Sequence, residues 1–370
     1  MRTESDLGRV CVCIPTYKRT FLLRRLLEDI SLQSKQPQAV IIVDGDPASG
    51  DVLQMLAGAS LPKVWRIVYL PSNHANLAYQ RYLGWRAAQD IGCDVLLYFD
   101  DDLRLPQADT IEKLVAPFVW DGTEVVGVTA PIIMGRRQGL GGAQALRDRP
   151  NALLGWFSAR FGSSRHIPAG ELSPVGHRQM PVHSGHEYVP VAWLRGGVMA
   201  YRVTALDQRC FSADLFALTH VQCGLGEDTF LSRQVGTKGR LLMAFNTQVE
   251  HPDDDTPKAY PYRARKLAYA TAYSRRFLND HYRDPHPPTL SDRLALLKNY
   301  VGVSFFAWLR AITSFKVYRF AYAWGYTQGA IRGLLQKPTA KNLTPQIDWW
   351  QDAEEALAHR QILQTGQVNE

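Results

Sequence analysis

Cysteine is scarce in this chain: five in 370 residues, an odd number, widely spread apart from Cys11 and Cys13. That excludes a disulfide framework, and the expectation is buried free thiols, with Cys11 and Cys13 on the same face of an extended strand. Long apolar runs are missing too. The longest uncharged stretches of the last third, Asn299 to Leu309 and Phe320 to Ile331, are about a dozen residues, short of the roughly 20 needed to cross a bilayer. Met1 to Arg9 is polar and has no apolar signal core, so a secretory leader is not expected. Neither G-x-G-x-x-G nor G-x-x-x-x-G-K follows the first apolar segment, which removes the main support for a dinucleotide fingerprint or a P-loop.

What is present is an alternation of short apolar runs and amphipathic segments. Val10 to Ile14, Val40 to Val43, Val64 to Leu70, Val95 to Phe99 and Val125 to Val128 read as buried strands. Thr20 is expected to cap a helix with Leu22, Leu23, Leu26, Leu27 and Ile30 at helical spacing; Leu77 to Gln89 and Ile111 to Phe118 are further helices. Alternation of this kind predicts an α/β fold with a mostly parallel, twisted sheet covered by helices on both faces, its ligand crevice at the carboxyl ends of the strands. With 46% hydrophobic and 21% charged residues, the composition suits a globular enzyme of one large domain plus an appendage.

The strand ends carry the chemistry. Val95 to Phe99 runs straight into Asp100, Asp101 and Asp102. Three adjacent carboxylates repel one another, and a divalent cation with oxygen ligands, Mg²⁺ or Mn²⁺, would hold them; a solvated turn or a helix cap is the alternative. The first strand ends in Pro15, Thr16, Tyr17, Lys18 and Arg19, the second in Asp44. Gly224, Leu225 and Gly226 precede Glu227 and Asp228, at the start of a helix-like Thr229 to Val235. Glycines permit close backbone approach to a substrate, and carboxylates at a helix N-terminus serve either as catalytic bases or as ordinary first-turn acids.

In order along residues 9 to 255, the sequence resembles the family 2 glycosyltransferases, nucleotide-sugar enzymes of the GT-A fold. The matching pieces are Ile14 to Tyr17, Val43-Asp44, Asn73 leading to Arg81 and Gly84, the aspartate triplet, Gly196-Gly197 through Arg202, Gly226-Glu227-Asp228 with Arg233 and Gly236, and Val249-Glu250-His251. The resemblance implies an inverting, metal-dependent transfer from a UDP-, GDP- or dTDP-sugar to a hydroxyl acceptor. Asp102, Asp100 and His251 would be the metal residues, with Mn²⁺ or Mg²⁺ as cofactor. Pro15, Thr16, Tyr17, Arg19, Asp44, Asn73, Arg81, Asp100 and Asp101 would bind the donor, and Gly196 and Gly197 would form the floor under its sugar. Asp228 would be the base, with Glu227 orienting the hydroxyl or serving as the alternative base. Lys18 stands where the family commonly has Asn, Asp46 replaces a nearer second acid, and Tyr82 stands where Asn is frequent; these departures bear on the donor's base and sugar. A sugar-phosphate nucleotidyltransferase and a non-catalytic sugar- or nucleotide-binding module are the alternatives. The first lacks its Gly-rich, basic signature here, and the intact acids argue against the second.

Residues 1–256 are thus expected to form the catalytic domain: a nucleotide-sugar half over 9–132, an irregular insertion over 135–190 and a base-bearing half over 191–256. The insertion reads as a lid or acceptor-recognition loop; its histidines 166, 177, 183 and 186 lack paired zinc spacing and have no cysteine among them. Residues 257–341 change character, with 15 Lys and Arg against three Asp, a local net charge of +12 in a chain of only +7. Ten of the 39 aromatic residues lie between Tyr300 and Tyr326. Helices over 293–335 lying on an anionic membrane surface are expected, against a packed helical subdomain or a homodimer interface. No nucleic-acid module is apparent. The expected compartment is the cytoplasm, at the inner membrane face, and 342–370 reads as a tail with a loose end.

Overall fold

The computed structural model describes residues 8–120, 124–134, 167–183, 185–252 and 260–364. The first half alternates as its hydrophobic pattern demands: β1 (Val10–Thr16), α1 (Thr20–Ser31), β2 (Ala39–Asp44), α2 (Asp51–Ala57), β3 (Arg66–Pro71), α3 (Leu77–Ile91) and β4 (Val95–Phe99). After them come α4 (Thr110–Val115), α5 (Pro117–Trp120), β5 (Val125–Thr129), β6 (Ile132–Met134), β7 (Tyr188–Val191) and β8 (Val198–Arg202). The second half adds α6 (Ala213–His220), α7 (Glu227–Gly236), β9 (Arg240–Ala244) and β10 (Val249–His251). The C-terminal region is α8 (Pro261–Asp280), α9 (Leu290–Ser314), α10 (Val317–Leu335), α11 (Ala340–Leu343), α12 (Trp349–Ala358) and β11 (Gln361–Gln364).

Nine strands form one mixed sheet in the order β11-β3-β2-β1-β4-β8-β5-β9-β7, and β6 pairs with β10 in a separate parallel ribbon. β3, β2, β1 and β4 are mutually parallel, while β8 runs antiparallel to both β4 and β5. Register puts Thr16 beside Asp44, and Asp44 beside Pro71, so the carboxyl ends of these strands line one edge. Successive residues of a strand point to opposite faces. Cys11, Cys13, Ile41 and Val43 accordingly pack on the face covered by α3, and Val10, Val12, Ile14, Val40 and Ile42 on the face covered by α1.

Four expectations are corrected. Thr20 is the first residue of α1, not its cap: Arg19 occupies that position without a side-chain capping bond, its guanidinium being engaged elsewhere. The helix expected over Ile111 to Phe118 is two short ones, broken at Pro117, whose ring cannot continue the turn. Cys11 is joined to Cys93 as a disulfide, and only Cys13, Cys210 and Cys223 are free. The pairing of β1 with β4 brings together two cysteines 82 residues apart, which spacing alone does not reveal. Finally, residues 349–364 are not a tail. Trp349 packs its ring against Tyr79 and Phe216, and β11 extends the sheet antiparallel to β3.

The basic aromatic region is a packed helical unit. α8 lies against the catalytic core through Tyr273, Phe277 and Leu278. α10 approaches α8 closely because Gly325 and Gly329 stand at the contact: a Cβ on them would fall 2.2 Å and 2.4 Å from the carbonyl oxygens of Arg265 and Tyr269. No helix among the described residues is long and apolar enough to cross a membrane. Most of the expected lid lies outside the described residues. Its end, residues 167–183, packs on the helices: Val175 is buried against Ala268 and Ala272, and His177 lies 2.9 Å from the Asn299 amide nitrogen.

Candidate active site

Asp100, Asp101 and Asp102 leave β4 at the crevice edge, and each carboxylate faces a different partner. Asp100 accepts from Arg81 Nη2 at 3.0 Å, while Asp101 accepts from Thr16 Oγ1 at 2.8 Å and Arg19 Nη1 at 3.3 Å. Asp102 Oδ2 takes Arg19 Nη1 at 2.9 Å and lies 3.3 Å from His251 Nε2. Burial pushes the Asp100 and Asp101 carboxyls up, partly offset by Arg81 for the first and by Thr16 and Arg19 for the second. Arg19 thus offsets two of the three adjacent carboxylates, Asp101 and Asp102, and Arg81 the third.

Arg81 is the hinge between the two halves of the site. It sits on α3, whose N-terminus is capped by Asn76, accepting from Tyr79 N at 3.2 Å. Only 1% of its side chain is exposed, yet it donates to Asp100, to Glu227 Oε1 at 2.7 Å and to the Gly196 carbonyl at 2.7 Å. Burial alone would pull the guanidinium down; Asp100 and Glu227 outweigh it and hold Arg81 well above its ordinary value. Glu227 is pushed up by burial and then by its neighbour Asp228, with Arg81 opposing. Gly226, at φ +94°, makes the left-handed turn that starts α7 and aims both acids inward.

Asp228 is held differently. Its Oδ2 accepts from Arg178 Nη1 and from the Gly196 N–H at 3.0 Å, and its Oδ1 from the Thr229 N–H at 2.7 Å. Glycine at position 196 allows this approach, since a Cβ would crowd Asp228 at 3.0 Å from Oδ2 and 3.1 Å from its Cβ. Gly197 closes the link to the triplet, its carbonyl accepting from Asp100 N at 3.0 Å. Asp44 stands at the far end of the crevice, pushed up by burial, with Asp46 N at 2.9 Å and Tyr69 OH at 3.0 Å donating to it. Tyr17 is half exposed beside it, and Lys18 adopts φ +57°, a conformation Asn tolerates better than most residues. At Lys18 the backbone therefore suits the family's usual Asn, and only the side chain differs. Asn73 is exposed on the turn after β3 and makes none of these contacts.

The fold brings together Asp102 and His251, and separately Asp100, Arg81, Glu227, Gly196 and Asp228. It does not assemble the expected three-residue metal set, because Asp100 faces Arg81; among the described residues no group of three or more His, Cys, Asp or Glu is arranged to hold an ion. The Asp102–His251 pair nevertheless fits a cation. Asp102 Oδ1 is buried without a hydrogen-bond partner. His251 Nδ1 lies 2.8 Å from the Pro252 carbonyl, a bond in which the ring nitrogen is the donor, and this turns Nε2 toward the Asp102 carboxylate at 3.3 Å. Two acceptors so placed require a proton or a metal between them.

Two contributors were missed by sequence reasoning. Gln80 donates to the Thr16 carbonyl at 3.0 Å and the Val43 carbonyl at 2.8 Å, fastening the ends of β1 and β2 where the crevice opens. A buried Gln within an otherwise packed helix is its only signal. Arg178 carries no signal at all, since it reaches Asp228 from the irregular segment 50 residues away.

Residues 11–166 match the family described as glycosyl transferase family 2. No curated protein sequence is a significant match. Among solved structures, the mannosyltransferase PcManGT from Pyrobaculum calidifontis, in complex with GDP-Man and Mn²⁺, is similar at 15% identity and a TM-score of 0.47, over 88% of this chain and 87% of that one. GalNAc-T7, solved with UDP, GalNAc and Mn²⁺, is similar at 13% identity and a TM-score of 0.45, over 85% of this chain and 61% of its own length.

Proposed function

We propose that the chain, whose residues 11–166 match glycosyl transferase family 2, is a glycosyltransferase that uses a nucleotide sugar, and that it works by direct displacement with inversion in which Asp228 takes the proton of an acceptor hydroxyl. The observation that carries this reading is the different tethering of the two acids. Glu227 is tied to a guanidinium sealed in the core, which would lose a counter-ion if the carboxylate turned to a substrate. Asp228 is tied to Arg178, whose side chain is 36% exposed and free to yield its place to an acceptor. A carboxylate that can be unmasked beside the reacting carbon is what a general base requires.

On the donor side, Thr16, Tyr17 and Asp44 would line the pocket for the base, Pro15 shaping its strand end, and Gly196 and Gly197 would lie under the sugar. Asp102 and His251 would hold Mn²⁺ or Mg²⁺, which when bound supplies Lewis-acid charge to the diphosphate leaving group. Among the described residues the five acids form two hydrogen-bonded clusters, Asp101 and Asp102 with Arg19, and Asp100, Glu227 and Asp228 with Arg81 and Arg178, each with one carboxylate more than its arginines, a surplus that favours a bound cation. Calorimetry with UDP, GDP and dTDP tests the metal assignment. Asp102→Ala should abolish the Mn²⁺-dependent part of binding and Asp100→Ala should weaken it; unchanged affinities in both would sink the assignment.

For the C-terminal helices we propose association with a membrane surface. On α9 the apolar residues Leu290, Leu294, Leu297, Val301, Phe305 and Ile312 recur at helical spacing, and all are exposed. Such a stripe on a strongly basic unit suits an amphipathic helix lying on anionic lipid, at the inner face of a membrane. Vesicles containing anionic lipid should sediment with the protein at low salt and release part of it at high salt. A salt-insensitive homodimer with no vesicle binding would replace this reading.

A further inference from the structure

A groove of about 750 Å³ runs along the outer seam of α8 and α10, far from the aspartate triplet. Its origin is the glycine contact between these helices: the backbones meet at Gly325 and Gly329, so the large side chains on either side splay apart and leave a trough. One wall is apolar, with Trp324, Ile331 and Leu335 about half exposed or more. The other end is cationic, with Arg265, Lys266 and Arg332. Among the described residues, none of the three meets a carboxylate. Arg265 Nη2 donates to Gln328 Oε1 at 3.0 Å, Lys266 to Gln222 Oε1, and Arg332 to the Tyr269 hydroxyl at 2.6 Å and Gln336 Oε1 at 3.1 Å. Among the described residues, no Asp or Glu lines the groove.

Three cations whose hydrogen bonds go to neutral oxygens, Arg332 lying also over the Tyr273 ring, keep a net charge that a ligand can meet. A free polar anion would leave the apolar wall wet, and an uncharged chain would leave the cations uncompensated. A second copy of this chain packed symmetrically would set three cations against three. We propose that the groove binds a single anionic lipid, its phosphate on Arg265, Lys266 and Arg332 and an acyl chain along Trp324, Ile331 and Leu335. The proposal rests on the membrane reading above, which supplies the lipid, and it sharpens that reading from a surface to a site.

Titration of the full chain with dihexanoyl-phosphatidylglycerol below its micellar concentration tests it, because the probe is a monomer rather than a bilayer. Saturable binding at one site is expected. Dihexanoyl-phosphatidylcholine has the same chains with a neutralised headgroup, and glycerol 3-phosphate has the phosphate without chains; each should bind at least tenfold more weakly. The double variant R265Q/K266Q should weaken phosphatidylglycerol binding about tenfold or more. I331E, at an exposed wall position that tolerates a polar residue, should do the same through the acyl path. Unchanged binding in both variants, or glycerol 3-phosphate matching the lipid, overturns the proposal. Vesicle binding without monomer binding leaves the membrane reading standing and the groove assignment wrong. Monomer binding that both variants weaken, without vesicle retention, upholds the groove and rejects the surface.

Discussion

The crevice and the C-terminal helices handle charge in opposite ways. In the crevice, carboxylates outnumber cations and the central one, Arg81, is sealed from water among three acceptors. In the helical unit cations dominate by 15 to three, and those along the groove hydrogen-bond to amide and phenol oxygens. The acids there are consumed internally: Asp280 by Arg276 and Arg293, Asp284 by His281, Asp292 by Arg283. Buried, cross-linked charge is costly to assemble and holds its geometry without reorganising, which suits a reacting centre. Charge left without a counter-ion on a half-exposed apolar surface is suited instead to meeting a partner. The same two residue classes therefore mark chemistry in one region and association in the other.

The largest effect that would test this division lies at Asp228. Asp228→Asn keeps size and most hydrogen bonds while removing the basic oxygen, so turnover should fall by roughly 10²- to 10⁴-fold with donor binding nearly intact. Glu227→Gln should be milder in turnover and should loosen Arg81. A fully active Asp228→Asn beside a dead Glu227→Gln would move the base to Glu227.

Next in size is the hinge itself. Arg81→Met leaves the partly buried Asp100 and Glu227 without their shared counter-ion, and losing one partner of a buried ion network costs at most about 3–5 kcal/mol. Both carboxyls already sit above their ordinary range from burial. Without Arg81 they rise further, so the folded state binds more protons than the unfolded one above pH 4, and the variant's deficit should shrink as pH falls from 8 toward 5. Urea denaturation across that range reads it; a small deficit independent of pH would show that the network is not tightly coupled.

Much of this architecture was legible beforehand because it is written locally. Runs such as Val95 to Phe99 are strands because they are apolar on both faces, and the acids at their ends had to reach an open edge. The order of short motifs pointed to Asp100, Arg81, Gly196, Glu227 and Asp228, which the fold brings together, and also to Asn73, which stays outside them. What stayed illegible depends on long-range register: Arg178 meeting Asp228, Gln80 tying two strand ends, Cys11 meeting Cys93, and β11 closing the sheet edge beside β3. The division of the aspartate triplet was hidden for the same reason. Three adjacent acids look equivalent until Arg19, Arg81 and His251, from three other elements, choose among them.

The smallest effect sharpens the comparison most, because it uses the same chemical change on the other side of the divide. Asp292 is the third residue of a capping box that starts α9: its Oδ2 accepts from Thr289 N at 2.8 Å and Thr289 Oγ1 at 2.6 Å, and its own N–H is met by Thr289 Oγ1. Arg283 pairs with it at 2.5 Å and, with the Thr289 bonds, holds its carboxyl down at about 2. A depressed acid contributes stability that is complete above its unfolded value near 4 and is lost as pH falls through about 2. Arg283 is nearly half exposed, so solvent screens the pair and the contribution is about 1 kcal/mol. Asp292→Asn should therefore lower stability by about that amount at neutral pH, with the gap to the parent protein closing between pH 4 and pH 2. Donor hydrolysis and metal-dependent nucleotide binding should not change. An Asp292→Asn variant that folds as well as its parent yet transfers sugar more slowly would break the division, by showing that the helical unit's acids serve the reaction as well.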